Sequence, residues 1–112
     1  MKSYTDIEQS RKLAEILPLE SADMKILSFG IDIKRRVVPI NDIAVLNRED
    51  EISCWSLTAL FNVLPDDCGI DKEDGKYVAS YLISGECGAY TKTNPIDAVF
   101  EMIIKLHELK ML

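Results

Sequence analysis

From residue 94 onward the sequence reads NPIDAVFEMIIKLHELKML, in which Ile96, Val99, Met102, Ile103, Leu106 and Leu109 recur at helical spacing and make a wide apolar face. Asn94 is a good N-cap residue and Pro95 suits the first helical position, so the start of this helix is defined locally. Asp97 near the start and Lys105 and Lys110 near the end agree with the helix dipole. A helix with so broad an apolar face must be buried against another layer, and the rest of the chain has to supply it.

The preceding segment is one source of that layer. Residues 76–84, KYVASYLIS, set Tyr77, Ala79, Tyr81 and Ile83 on one face and Val78 and Leu82 on the other, which predicts a strand covered on both sides. Gly85-Glu86 suits a two-residue turn with glycine first, and residues 87–93 then return antiparallel. Residues 66–75, DDCGIDKEDG, read as an acidic, solvated loop. A calcium loop needs acidic or amide groups at positions one, three and five before a glycine at six. Counting back from Gly75 or from Gly69 puts Ile70 or Leu64 at position one, so the register fails.

Toward the N-terminus, Thr5 followed by Glu8 predicts a capping box that opens a first helix with Ile7, Leu13, Ala14 and Leu17 inward and Pro18 at its end. Residues 24–38 lose helical periodicity and read as two strands broken near Gly30. Pro39 and Asn41-Asp42 mark a loop, residues 43–46 read as a further short strand, and the charged run 48–51 as exposed. Ser53 is placed to cap a second helix with Leu57, Leu60, Phe61 and Leu64 on one stripe, ending by Pro65. Its poverty in charge predicts a central, mostly covered element. The order is α-β-β-α-β-β-α over residues 1–112: a single α+β domain with helices packed on one face of a small antiparallel sheet.

Composition narrows the function classes. Leu, Ile, Val and Phe make up 34 of the 112 residues, well above the level of a disordered chain. A net charge of -6 argues against nucleic-acid binding, since phosphate affinity comes from cations. The basic run Lys34-Arg35-Arg36 alternates between faces of an extended segment and reads as a solvated edge strand. The longest uncharged stretch, residues 52–65, is 14 residues, short of the roughly 20 that span a membrane. The polar N-terminus has no signal-peptide pattern, so a cytoplasmic location is expected. Cys54, Cys68 and Cys87 form no CxxC pair and His107 is the one histidine, so no metal or cofactor is expected.

One chemical constellation is present. A cysteine in the first turn of a helix is biased toward thiolate, and His107 is the available base, which makes Cys54 the candidate nucleophile of a thiol-dependent enzyme. Ser53-Cys54-Trp55-Ser56 resembles the surroundings of the papain-like nucleophile, where a Cys-Trp pair also opens a helix. The glycines that precede that cysteine are absent here, and the chain is too short for the two-lobed papain fold. The bland reading, a buried structural Cys54 and a half-buried His107 on a helix face, is preferred. Tyr77, Tyr81 and Tyr90 could line one side of the hairpin and stack a small ligand, but packing under a helix is the preferred reading. Trp55, Met102, Leu106 and Leu109 are the candidate interaction residues; a tryptophan often anchors an interface when exposed, and the place of Trp55 beside the apolar stripe suits core and interface equally.

Residues 4–24, 54–65 and 94–112 together resemble a group of short proteins of unassigned function from Bacteroides-type gut bacteria, often carried on mobile elements and phages. The likeness covers about half the chain and brings no catalytic or binding residues with it. It implies a bacterial or phage cytoplasmic setting and an accessory role. The expected function is therefore a small non-enzymatic protein-interaction module, with a protein partner or self-association through the last helix, and no nucleic acid, membrane or metal.

Overall fold

The computed structural model of the chain describes residues 2–29, 34–39 and 52–112. Within them the fold is α+β: helices α1 (Ile7–Ile16), α2 (Leu57–Val63) and α3 (Pro95–Glu108) combine with strands β1 (Met24–Phe29), β2 (Lys34–Pro39), β3 (Ile52–Cys54), β4 (Cys68–Glu73), β5 (Lys76–Ile83) and β6 (Glu86–Lys92). The strands form two antiparallel three-stranded sheets, ordered β2-β1-β3 and β4-β5-β6, in place of the one sheet expected. The strand expected at 43–46, the loop at Asn41-Asp42 and the charged run 48–51 lie outside the described residues. Lys34, Arg35 and Arg36 fall on β2, an edge strand, as the charge pattern predicts.

The second sheet is two hairpins in succession. The segment expected to be an acidic loop is instead β4, closed onto β5 through Asp74-Gly75, both with positive φ (50° and 75°). Asp-Gly is the preferred pair for such a two-residue turn, and its twist matches the strands it joins. An edge strand tolerates Asp71, Lys72 and Glu73 because their side chains reach water. The next turn is Ser84-Gly85, at φ 51° and 85°, one residue earlier than the expected Gly85-Glu86. On β6, Gly88 lies opposite Tyr81, whose ring fills the space where a Cβ would stand, with the nearest ring atom 2.6 Å from that position.

α3 is capped as expected, with the Asn94 side chain accepting from Ile96 N–H at 2.8 Å and Pro95 in the first turn. It packs on β5 and β6 and buries Ile96, Val99, Met102, Ile103 and Leu106 completely. Each such side chain is worth about 1.5–3 kcal/mol, so α3 is the anchor of the fold. α2, expected in that role, is capped by Ser56 and buries only Ala59 and Leu60, with Leu57, Phe61 and Leu64 half-covered. The residues around Ser53 extend β3 instead, because Lys25 and Ile26 of β1 pair with Ser53 and Ile52. α1 begins one residue later than expected, on an Asp6–Gln9 capping box, and keeps Leu13 inward while Ala14 is exposed. One hydrophobic cluster joins Leu13, Trp55, Leu60, Tyr81 and the inner face of α3.

Candidate functional site

Alternation along β5 divides the second sheet into two faces. Tyr77, Ala79, Tyr81 and Ile83 share one with Tyr90 across the ladder, and Lys76, Val78, Ser80 and Leu82 share the other. The first face belongs to the core: Ala79 and Tyr81 are buried, and Tyr90 packs against the same cluster. Burial, with smaller contributions from Tyr81, Glu108 and Glu101, pushes the Tyr90 hydroxyl above its ordinary pKa. Tyr81 and Tyr90 therefore pack against the core under α3, the arrangement the sequence favoured over an open ligand-stacking surface, while Tyr77 is half-buried near the start of β5 with Lys72 Nζ 5.7 Å from its ring centre.

The opposite face carries no helix among the described residues. There the register aligns Gly69, Ser80 and Ala89 in a row of short side chains, flanked by Leu82 with Cys87 on one side and Asp71, Val78 and Thr91 on the other. The short row makes a shallow trough of about 590 Å³ that Leu82 overhangs. Leu82 is 64% exposed, the most exposed large apolar side chain described, and Cys87 beside it is exposed as well. This corrects the expectation that β5 is covered on both sides. Lys76 and Ser80 on the same face as Val78 and Leu82 are the signal in the sequence that this face is wet.

The thiol arrangement does not form. Cys54 ends β3 and lies outside any helix, with no exposed surface. Burial, aided by the negative charge of Asp23, pushes its thiol up to about 12, the opposite of activation. His107 is exposed on α3, not half-buried as expected, and so stands on the surface while Cys54 lies inside.

The expected interaction residues are also placed inside. Trp55, Met102 and Leu106 have no exposed surface, and Leu109 is half-buried against the same cluster. Met102 and Leu106 point inward because α3 turns that stripe toward the core. Trp55 is held by its polar atoms: its backbone N–H donates to Thr5 Oγ1 at 3.0 Å, its C=O accepts from Thr5 N–H at 2.9 Å, and its indole N–H donates to Ser21 Oγ at 2.9 Å. Thr5 Oγ1 and Ser10 Oγ, both buried, are 2.8 Å apart. Either hydroxyl can be the donor of that bond, and the Ser10 hydroxyl also lies within 3.4 Å of the Thr5 carbonyl, which accepts from it when Thr5 donates to Ser10. Beside this clasp, the Asp23 carboxylate accepts from the N–H and the hydroxyl of Ser56, fixing the residue that caps α2.

A second concavity, about 370 Å³, lies where α1 ends against α2, between Ile16, Leu17, Pro18, Ser21, Val63 and Leu112. Its walls are mainly aliphatic and bring no nucleophile or acid–base pair together. Among the described residues no group of three or more His, Cys, Asp or Glu side chains is arranged to hold a metal ion. No described helix is long and apolar enough to cross a membrane. Comparison with protein-family models, with curated proteins and with solved structures finds no match.

Proposed function

We infer that this chain is a small non-enzymatic protein-interaction module, an accessory of a bacterial or mobile-element system, which docks a protein partner on the outer face of the β4–β5–β6 sheet. The observation that carries this reading is Leu82, an aliphatic side chain standing largely in water near the end of the central strand of a sheet whose other face packs against α3 through β5 and β6. Exposed apolar surface bordered by polar groups is the usual mark of a protein-contact surface. Asp71, Lys76 and Thr91 supply that border here. The bacterial, cytoplasmic setting rests on the resemblance of residues 4–24, 54–65 and 94–112. The buried thiol of Cys54 favours this reading over a thiol-dependent enzyme.

A photo-crosslinking amino acid at position 82, with position 12 on exposed α1 as control, tests it in bacterial cells that carry the chain. A discrete adduct with a second protein at 82 and none at 12 is the expected result. Equal, diffuse labelling at both positions would count against the docking face, and so would none.

A further inference from the structure

We propose that two copies of this chain pair through the free edge of β6, antiparallel about a two-fold axis at Ala89, to make one continuous six-stranded sheet. This pairing occupies the edge of the sheet and leaves its outer face open, so edge and face can be tested separately.

The hydrogen-bond phase of the edge follows from the turns. A two-residue turn is closed by a hydrogen-bonded pair, so Ile83 and Glu86 bond to each other, and every second pair after them does the same. Glu86, Gly88, Tyr90 and Lys92 thus spend their backbone groups on β5, and the N–H and C=O of Cys87, Ala89 and Thr91 point away from it. The first hairpin has the complementary phase, with even-numbered residues of β5 bonding toward β4. Leu82 N–H donating to the Asp67 carbonyl at 3.1 Å fits that pattern. Among the described residues β6 is the last strand in its sheet, and Cys87, Ala89 and Thr91 are all exposed.

Charge then selects the register. An axis at Ala89 sets Ala89 opposite itself, Cys87 opposite Thr91, and Glu86 opposite Lys92 of the second copy at both ends. Moving the axis to Gly88 or Tyr90 keeps the hydrogen-bond phase but sets Glu86 opposite Tyr90 or Asn94, and neither brings opposite charges together. Between Glu86 and Lys92 the strand is uncharged, without the charges that normally keep edges apart. The other edge of the sheet has them: on β4, an axis at Gly69, Ile70 or Asp71 sets Asp67 against Asp71, Asp67 against Glu73, or Asp71 against itself. Like charges directly opposite are destabilising, so β4 is guarded and β6 is self-complementary. Because α3 lies over β5 and β6 and strands stand about 4.8 Å apart, pairing brings the two α3 helices to about 10 Å, a packing distance for helices.

Sedimentation equilibrium of the whole chain tests this with four variants. The wild type is expected to be a dimer. Ala89→Pro removes an outward N–H that β5 does not use and should leave a folded monomer, with helix content unchanged by circular dichroism. Glu86→Lys and Lys92→Glu each set like charges opposite at both ends and should weaken self-association about tenfold. Mixing those two variants restores opposite charges at both ends and should return a heterodimer, which a merely misfolded variant would not do. A wild type that stays monomeric to its solubility limit overturns the proposal. So does a dimer indifferent to all three variants, and a dimer dissolved instead by Leu82→Glu would assign the outer face.

Discussion

The two halves of the molecule are held by different means. Around Trp55 the N-terminal segment, the 3-10 turn Leu19–Ser21 and β3 are joined by a set of hydrogen bonds, of which those of Thr5 with Trp55 and with Ser10 are buried and that of Trp55 with Ser21 is partly buried. Under α3 the second sheet is held by apolar packing, with Ile96, Val99, Met102, Ile103 and Leu106 set against a layer that includes Ala79, Tyr81 and Tyr90. Apolar packing responds to volume and tolerates exchange of one aliphatic shape for another of equal size. A buried polar set responds to the identity of single atoms, because a donor left without its acceptor keeps its full desolvation cost. Shape therefore secures the half that carries the candidate interaction surfaces, and atom-by-atom pairing secures the half that orders the N-terminus.

The largest effect is expected where both modes meet. Trp55→Ala removes a fully buried side chain and also leaves Ser21 without its donor, and should cost about 3–5 kcal/mol in denaturant unfolding. The comparison is sharper between two isosteric changes. Thr5→Val keeps the volume but takes away the oxygen that accepts the buried Trp55 N–H, and should cost about 1–3 kcal/mol. Leu106→Met also nearly keeps the volume, in the apolar layer, and should cost less than about 1.5 kcal/mol. If Leu106→Met proved the more damaging, the distinction between the halves would be wrong.

Legibility in the sequence follows the same division. α3 could be read almost to the residue because Asn94 and Pro95 act locally, and its apolar face names its own core. The start of α1 shifted by one residue because Thr5-Asp6 and Glu8-Gln9 offer two overlapping capping boxes. Local chemistry does not choose between them. Trp55, 50 residues away, takes the Thr5 hydroxyl and leaves Asp6 to cap. β4 was hidden by its own charges, although Asp74-Gly75 carried the hairpin signal. For the candidate site, the pattern gave the two faces of β5 but not which of them α3 would cover. That choice is tertiary, so Leu82 read as buried although it stands in water, and Trp55, equally suited by its sequence to core or interface, proves to belong to the core.

The smallest expected effect concerns the tie between the halves. Lys2 Nζ meets Asp97 in the first turn of α3 at 2.6 Å and Asp6 at 3.2 Å, while Gln9 donates to Asp97 at 2.8 Å. Burial alone would raise the Asp97 carboxyl, but the hydrogen bonds from Lys2 and Gln9 and the charge of Lys2 outweigh it and hold it below 3.8. Burial alone would lower the Lys2 ammonium, and its bonds to Asp97 and Asp6 outweigh that, holding it above 10.5. The contribution of Asp97 is therefore present above its unfolded pKa and lost as pH falls through the depressed folded value. That of Lys2 is present below 10.5 and lost as pH rises through the raised one. Both groups are about a third exposed, so the pair contributes less than about 1 kcal/mol. Asp97→Asn should flatten the acid limb of a stability–pH curve. Lys2→Met should flatten the alkaline limb and only reduce the acid one, because Gln9 still donates to the carboxylate. The clasp around Trp55 contains hydroxyls, an indole and backbone groups that do not titrate in this range, so Thr5→Val should lower the whole curve without changing its shape. A change of shape in that variant would mean that the tie and the clasp form one coupled network.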